Sequence, residues 1–233
     1  MHSIYLIPNT LGDSEIKNVI PEYNLRVINS IDTYIVENVK VARRFLVKCG
    51  IEKAIDDLTF FVLDKRKPNI LELTNAIKKG TENGNVGIIS DAGCPGVADP
   101  GAEAIKVAHQ HNIKVIPLVG PSSILMAIMG SGFNGQAFTF HGYIPRERHE
   151  RNAAIHKFET AAFRQNITQI FMDTPFRNNH VLEDLLAKCH PNTRLCIACD
   201  ITLETEYIKT KTIKEWKQEK VDLHKRPCLF LLG

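Results

Sequence analysis

The sequence predicts an α/β protein made of two α/β domains, and two observations carry that prediction. In the first half of the chain, short apolar runs without clean alternation are separated by helix-like segments, which is typical of buried parallel strands joined by helices. In the second half, extended segments follow one another near the end, which favours a mixed sheet. A length of 233 residues allows one large domain or two small ones.

The first half is predicted to form a mostly parallel sheet with helices on both faces, assembled from βαβ units. Its strands are short apolar runs, at Ile4–Pro8, Thr33–Val36, Thr59–Leu63, Val86–Ser90 and Lys114–Val119. Its helices lie between those runs, at Val39–Cys49, Ile70–Gly80 and Ala102–His111.

The rhythm changes after Gly120-Pro121, where a strand ends and a proline restarts the chain, so we place the domain boundary there, between 1–119 and 120–233. Helices are predicted at Ser122–Met129, Glu147–Phe163, Asn178–Lys188 and, briefly, around Trp216. Strands or extended segments are predicted at Ala137–Tyr143, Thr168–Met172, Arg194–Asp200, Glu206–Thr212 and Pro227–Leu232.

Composition narrows the class of protein. With 44% apolar and 24% charged residues, the chain matches ordinary globular proteins rather than disordered, collagen-like or disulfide-scaffold ones. A formal charge of +3 is too small to indicate a nucleic-acid binder by itself. The longest uncharged stretch, 115–145, is interrupted by prolines and glycines, so no membrane span is predicted.

The six cysteines are scattered, and no cationic and apolar leader opens the chain, so we expect a reduced, cytoplasmic protein. Cys196 and Cys199 form a C-x-x-C pair that a zinc site could use. A zinc site would want a second pair, and the surrounding residues are typical of a buried strand, so we interpret both cysteines as small apolar side chains. No metal site is predicted.

Gly130-Ser-Gly132-Phe-Asn-Gly135 matches the dinucleotide fingerprint G-x-G-x-x-G. That motif binds a pyrophosphate only when it follows a strand and opens a helix. Here it follows a predicted helix and leads into a strand. The glycines are therefore interpreted as a helix end and turn.

The segment from Ser90 to Gly101 is the most informative one, because it follows a strand at the edge of the sheet where ligands bind in open α/β folds. Its small and rigid residues bring backbone groups close to a ligand, and Asp91 is predicted to contact that ligand. Asp99, in Asp99-Pro-Gly, more simply begins the next helix. Two further strand ends, at Pro8–Asp13 and at Gly120–Ser123, would surround the same pocket.

Ser122 and Ser123 leave two interpretations open. Free amides at the start of that helix could bind an anion, such as the carboxylate of an amino-acid-like ligand. A plain helix cap is equally compatible with the sequence.

Four motifs occur in family order: Pro8-Asn-Thr-Leu11-Gly-Asp13, Glu37-Asn-Val-Lys40, the segment from Ser90 to Gly101, and Val119-Gly-Pro-Ser-Ser123. With them, the chain resembles the tetrapyrrole methylase superfamily of S-adenosylmethionine-dependent methyltransferases. It resembles most the branch that 2′-O-methylates a ribose of small-subunit ribosomal RNA, which also matches Met172-Asp-Thr-Pro-Phe-Arg177 and Asp200-Ile-Thr-Leu203.

The resemblance implies a homodimer of two α/β domains that holds S-adenosylmethionine in the cleft between them. It implies that the first domain contacts this methyl donor through residues at its strand ends, namely Pro8, Leu11, Asp91, Ala92, Gly93 and Cys94. It further implies contacts from Ser122, Ser123, Met172 and Ala198.

Several motifs depart from the ribosomal RNA branch. Its Glu-Asp-Thr-Arg is Glu37-Asn-Val-Lys40 here, and a Tyr-His-Glu-His-like segment is replaced by Val62-Leu-Asp-Lys65. Its Tyr-Glu-Ser-Pro-His-Arg is Met172-Asp-Thr-Pro-Phe-Arg177, and its Lys-Gly-Glu is Lys225-Arg226-Pro227. The motifs that imply donor binding therefore match the family better than the motifs that imply the acceptor.

A hydroxyl acceptor requires a group that accepts its proton. Glu37 and Asp173 are the candidates, although surface or structural carboxylates would look the same. Arg177 and Lys40 could bind phosphate, and an ion pair at a helix start would explain Arg177 equally well. Between Lys209 and Arg226 there are seven basic and three acidic residues. Such a cluster could bind the phosphates of RNA, and a solvated helix face would explain it equally well.

The sequence thus predicts a methyltransferase that acts on ribosomal RNA or the small ribosomal subunit. The alternatives are methylation of a tetrapyrrole or of another small molecule or protein, and a donor-binding module without catalysis.

Overall fold

The computed structural model describes residues 2–63 and 69–233, and it divides the chain into two compact units, Met1–Ser122 and Ser123–Gly233. The division falls three residues beyond the proposed boundary. We keep 1–119 and 120–233 as the proposed domain assignment.

The first unit contains five parallel strands, β1 (Ser3–Ile7), β2 (Thr33–Val36), β3 (Thr59–Val62), β4 (Val86–Ile89) and β5 (Lys114–Pro117). They are ordered β3-β2-β4-β1-β5, and all pairs between them are parallel. Its helices are α1 (Ile16–Val19), α2 (Glu22–Asn29), α3 (Val39–Lys48), α4 (Ile70–Asn83) and α5 (Gly101–Gln110), with a 3-10 turn at Ile55–Asp57. The predicted parallel sheet is confirmed.

Helices cover both faces of this sheet, as predicted, because successive strand residues point to opposite sides. On one face, Ile7, Tyr34 and Ile89 share a buried cluster with residues of α2 and α3. On the other face, the buried cluster consists of neighbouring strand residues and residues of α4 and α5: Ile4, Leu6, Ile35, Val86, Ile88, Leu73, Ile77, Ala104, Val107 and Ala108.

Helices α1 and α2 are not predicted by the sequence pattern. The first has only four residues, and the second follows Pro21 directly, so neither presents a long periodic run. Tertiary packing stabilises α2 instead, since Val27 and Ile28 are buried in the core.

The second unit contains the strands β6 (Phe138–Tyr143), β7 (Thr168–Met172), β8 (Arg194–Cys199), β9 (Tyr207–Thr212) and β10 (Cys228–Leu232). They are ordered β6-β7-β10-β8-β9, with β6 and β7 parallel and the other pairs antiparallel, which confirms the mixed sheet. Its helices are α6 (Ser123–Ser131), α7 (Arg148–Gln165), α8 (Asn178–Lys188) and α9 (Ile213–Trp216).

One face of this second sheet forms a core with α7, α8 and α9, which includes Ile155, Leu185, Trp216 and Phe230. Helix α6 packs on the other face, where Gly130 lies so close to Ile208 that a Cβ there would be 2.9 Å from its Cγ2. Gly130 is the second-last residue of α6. Gly132, with φ +71°, begins the turn towards β6. The G-x-G-x-x-G segment is a helix end, as predicted.

Among the residues that the structure describes, no helix combines the length and the apolar composition needed to cross a bilayer.

Candidate functional site: the carboxyl edge of the parallel sheet

The strand order of the first unit brings the ends of β1, β4 and β5 side by side, with β2 next to β4. The segments that follow these strands contain nearly all the first-unit residues predicted to bind the donor. In open α/β sheets, this carboxyl edge is where ligands bind. The fold therefore explains why motifs far apart in sequence can serve one site.

Asn9 fastens the end of β1 to the end of β4. Its backbone N–H donates to the Gly93 carbonyl at 2.9 Å, and the Gly93 N–H donates back to the Asn9 carbonyl at 3.2 Å. The Asn9 side-chain amide donates to the carbonyls of Ser90 and Asp91 at 3.1 and 3.2 Å. Sequence reasoning missed this role, although an asparagine directly after a strand is a known signal for side-chain to backbone bonding.

The position of Gly93 favours a residue without a side chain. Its φ of +67° is left-handed, and a Cβ there would lie 3.2 Å from Leu11 Cδ2 and 3.6 Å from the Pro121 carbonyl oxygen. Glycine adopts this left-handed backbone without strain, and a Cβ here would also crowd the Leu11 side chain.

Gly120 makes the second close approach. A Cβ on Gly120 would lie 2.3 Å from Pro8 Cβ, so the end of β5 packs directly against the end of β1. Cys94 adds a third link, since its thiol donates to the Pro121 carbonyl at 3.4 Å. The structure thus brings Pro8, Leu11, Gly93, Cys94 and the residue before Ser122 together.

Cys94 is half-buried, and burial raises the pKa of its thiol, with the nearby Asp99 carboxylate raising it further. A neutral thiol is a weak nucleophile. At this position Cys94 is suited to packing and hydrogen bonding rather than to covalent chemistry.

Asp99 acts within its own turn, as predicted. Its carboxylate accepts hydrogen bonds from the backbone N–H groups of Gly96 and Gly101 at 2.6 and 2.8 Å. Both bonds shape the turn that leads into α5.

Glu37, a candidate proton acceptor, follows β2 and is also half-buried. Its Oε1 accepts a hydrogen bond from the Asp91 backbone N–H at 3.0 Å. This contact joins the end of β2 to the end of β4 and fixes the backbone of Asp91. Ala92, beside it, is exposed, and Lys40 is exposed on α3, whose first turn Asn38 caps.

Asp173 and Arg177 follow β7 in the second unit and form an ion pair. The Asp173 side chain is fully buried, and its Oδ1 also accepts from the Thr174 backbone N–H at 2.7 Å. Its other oxygen, Oδ2, has no hydrogen-bond partner among the described residues. The ion pair at a helix start that the sequence allowed for Arg177 is present, and phosphate binding by Arg177 stays a prediction.

Met172 and Ala198, also in the second unit, lie in register on either side of Leu229. Met172 is half-buried at the end of β7, whereas Ala198 is buried within β8. Ser123 is the first residue of α6. The roles of these residues as donor contacts stay predictions, like those of the first-unit residues.

Cys196 and Cys199 are fully buried in β8, as the strand interpretation predicts. Cys199 faces Cys228 across the β8–β10 pair, with their sulfur atoms 2.7 Å apart. In the described ranges, no group of three or more His, Cys, Asp or Glu side chains is placed to hold a metal ion. Asp64 and Lys65, which depart from the family pattern, lie outside those ranges.

Comparison with known proteins identifies the relatives of this chain. It is 26% identical over 232 residues to a protein named ribosomal RNA small subunit methyltransferase I from Buchnera aphidicola subsp. Acyrthosiphon pisum, covering 98% of this chain and 78% of that protein. It is 30% identical over 192 residues to the protein of the same name from Neisseria meningitidis serogroup B, covering 82% of this chain but only 62% of that one. No family model matches the chain.

Solved structures share the fold at low sequence identity. The methyltransferase CobJ covers the whole chain with a TM-score of 0.65 and 16% identity. A uroporphyrin-III C-methyltransferase from Thermus thermophilus does so with a TM-score of 0.60 and 15% identity. The predicted resemblance to the tetrapyrrole methylase superfamily is confirmed. The prediction of an enzyme of the methyltransferase class is confirmed with it, since the sequence relatives bear that name.

Proposed function

We propose that this chain is an S-adenosylmethionine-dependent methyltransferase that methylates a ribose 2′-hydroxyl of small-subunit ribosomal RNA. The names of the sequence relatives support the RNA acceptor. The observation that carries the donor site is the junction of three strand ends, where Asn9, Gly93 and Pro121 meet at the carboxyl edge of the parallel sheet. The relatives are longer than this chain, which spans 78% and 62% of the two described above.

The residues at this edge fit such a donor. Gly93 leaves room for close backbone approach, and the half-buried Asp91 carboxylate, with its backbone fixed by Glu37, would accept hydrogen bonds from ribose hydroxyls. S-adenosylmethionine supplies a methyl group already activated on a sulfonium. The chain therefore has mainly to bind and align the two reactants, which is a large catalytic contribution in itself.

The first unit is proposed to bind S-adenosylmethionine through residues at its strand ends, namely Pro8, Leu11, Asp91, Ala92, Gly93, Cys94 and Ser122. Ser123, Met172 and Ala198 are proposed to contact it from the second. A cleft between the two domains belongs to this proposal, as do a homodimer and a cytoplasmic location, where ribosomes are available as substrate.

For the proton of the acceptor hydroxyl, the two candidates remain Glu37 and Asp173, and each already holds a backbone N–H with one carboxylate oxygen. Glu37 uses Oε1 to hold the Asp91 backbone. Asp173 uses Oδ1 to hold Thr174 and Arg177, which leaves its Oδ2 without a hydrogen-bond partner among the described residues. A buried carboxylate oxygen of this kind calls for an explanation, and proton acceptance from a bound hydroxyl provides one. Arg177 then positions Asp173, and Arg177 and exposed Lys40 remain the phosphate-binding candidates.

The experiment that tests the proposal supplies purified protein with methyl-labelled S-adenosylmethionine and, separately, small ribosomal subunits, free ribosomal RNA and a tetrapyrrole. We expect label in RNA, recovered as a 2′-O-methylnucleoside after digestion and mass spectrometry. Asp91→Asn should lower donor affinity, whereas Asp57→Asn, at an exposed carboxylate in the 3-10 turn, should not.

Other outcomes replace the proposal. Label on the tetrapyrrole alone would assign the chain to the small-molecule branch of the superfamily. Donor binding without label on any acceptor would favour a binding module without catalysis.

A further inference from the structure

An exposed aromatic ring and a basic turn lie together in the second unit. Phe176, in the loop that follows β7, is 66% exposed. Its ring makes an edge contact with the ring of His224, with centroids 6.0 Å apart and planes inclined by 72°. His224 and its neighbour Lys225 are exposed as well. We call Phe176, His224 and Lys225 the aromatic-basic patch.

The backbone under this patch is fixed. The Lys225 N–H donates to the Pro175 carbonyl at 3.0 Å, which ties the basic turn to the loop that carries Phe176. Two residues on, the Asn178 side chain donates to the Arg226 carbonyl at 2.6 Å. The Phe176 loop is also closed on itself, since the Arg177 N–H donates to the Thr174 carbonyl at 2.9 Å. An exposed ring on such a support loses little conformational entropy when a partner stacks on it.

A lysine beside the ring is available to an anionic partner. Lys225 forms no ion pair with any described residue, whereas the Arg226 guanidinium is engaged by the Asp200 carboxylate at 2.7 Å and the Thr205 carbonyl at 2.8 Å. The acidic neighbour, Asp222, accepts hydrogen bonds from Asn179 and from the His224 backbone N–H at 2.8 and 2.9 Å. Lys225 is therefore the cation that a ligand on the ring would meet.

We infer that the aromatic-basic patch binds an unpaired segment of RNA, with a base stacked on Phe176 and a neighbouring phosphate held by Lys225. This inference rests on the proposed function, and it assigns that RNA a contact in addition to the proposed donor-binding and proton-accepting residues. Single-stranded RNA is recognised in this way in general, through aromatic side chains that stack on bases and cations that track the backbone. A protein partner is a poorer fit, because protein interfaces are depleted in Lys and need a broader apolar surface than one ring.

The test measures the affinity of the full chain for a fluorescent single-stranded RNA of about a dozen nucleotides, and the Michaelis constant for small subunits in the methylation assay. Phe176→Ala should lower the affinity for RNA and raise the Michaelis constant for small subunits, each by roughly tenfold, because base stacking is lost. Phe176→Trp should keep both values. The dissociation constant for S-adenosylmethionine should not change. Phe163→Ala is the matched control, since Phe163 is 90% exposed on α7 and should leave RNA binding unaltered.

Lys225 is tested by Lys225→Asn, because asparagine tolerates the left-handed φ of +60° at this position. This variant should weaken RNA binding and lower the slope of log affinity against log salt by about one. RNA of the same sequence in a duplex should be insensitive to Phe176→Ala, because its bases are not free to stack.

The outcomes separate this inference from the proposed function. If the wild type methylates RNA and Phe176→Ala matches it in affinity and Michaelis constant, the patch is refuted and the function stands. If Phe176→Ala weakens RNA binding but the wild type methylates no RNA, the patch stands and the proposed acceptor is wrong. Equal loss in Phe163→Ala would show that any exposed ring contributes, which also refutes the patch.

Discussion

At the scale of single residues, the site depends on groups whose contribution is geometric. Gly93 contributes the absence of a side chain, and Asn9 contributes a side chain that pairs with backbone from another strand. Neither residue would perform chemistry. Both decide whether the strand ends can lie close enough to shape one pocket.

Gly93→Ala tests the first of these contributions. Forcing a Cβ into left-handed backbone costs ~1–2 kcal/mol, and here the Cβ also meets Leu11. We expect the free energy of unfolding in urea to fall and donor affinity in calorimetry to fall with it. Gly132→Ala is the matched control, with φ +71° but nothing within 4 Å of the added Cβ. It should lose similar stability and keep donor binding, and an equal loss of affinity in both variants would contradict the assignment.

Asn9→Asp tests the second contribution. The carboxylate cannot donate to the carbonyls of Ser90 and Asp91, so two bonds are lost and like partial charges face each other. Leaving a buried group unsatisfied costs about 1–3 kcal/mol. We expect that loss of unfolding free energy together with weaker donor binding. Unchanged donor affinity would mean that the junction of β1 and β4 does not shape the pocket.

At the scale of elements, the sequence predicts most strands and helices to within one or two residues. For β2 and β7, which are short apolar runs, the predicted first and last residues are the same as those in the structure. Helix α2 escapes prediction because its stability comes from burial of Val27 and Ile28 against distant residues. Sequence patterns report local preference, so elements that depend on tertiary contacts are missed.

The junction between α7 and α8 illustrates a contact of that kind. Asp184 on α8 accepts from Arg151 at 2.8 Å and from Arg148 at 2.9 Å, both on α7. The side chains of Arg151 and Asp184 are only 8% and 2% exposed. A buried ion pair of this type holds two helices in register.

Asp184→Asn should therefore be strongly destabilising. Breaking a buried pair leaves an uncompensated charge on Arg151, which costs about 3–5 kcal/mol. Glu22→Gln, which breaks the exposed pair of Glu22 with Arg26, is the control and should cost less than about 1 kcal/mol. The measurement is urea unfolding monitored by circular dichroism, and similar midpoints for the two variants would contradict the expectation.

At the scale of the whole molecule, the sequence predicts the kind of site better than it predicts the contacts between strand ends that form the site. The segment from Ser90 to Gly101 could be placed at a strand end from its composition. Its pairing with Asn9, over 80 residues away, and the hydrogen bond from Asp91 to Glu37 depend on strand order, which the sequence does not display. The identity of the methyl acceptor is harder still to predict from sequence, because the motifs that depart from the family pattern weaken the assignment of the acceptor more than that of the donor.

Donor binding should stabilise the whole chain. A ligand at a hundredfold excess over its dissociation constant adds about 2.7 kcal/mol, which corresponds to a rise of roughly 5–10 °C in the melting temperature of a domain of this size. Differential scanning fluorimetry with S-adenosylmethionine should show that rise in the wild type and a smaller one in Asn9→Asp. Equal shifts in both would place the donor away from the junction of β1 and β4.

The central claim is that the methyl donor binds where the ends of β1, β4 and β5 meet. Hydrogen exchange of the full chain, with and without S-adenosylmethionine, tests it most directly. We predict slower exchange on donor addition at 9–11, 91–96 and 119–123, and little change in the outer residues of α7. Protection confined to other segments, or none at a donor concentration that saturates binding, would contradict the account.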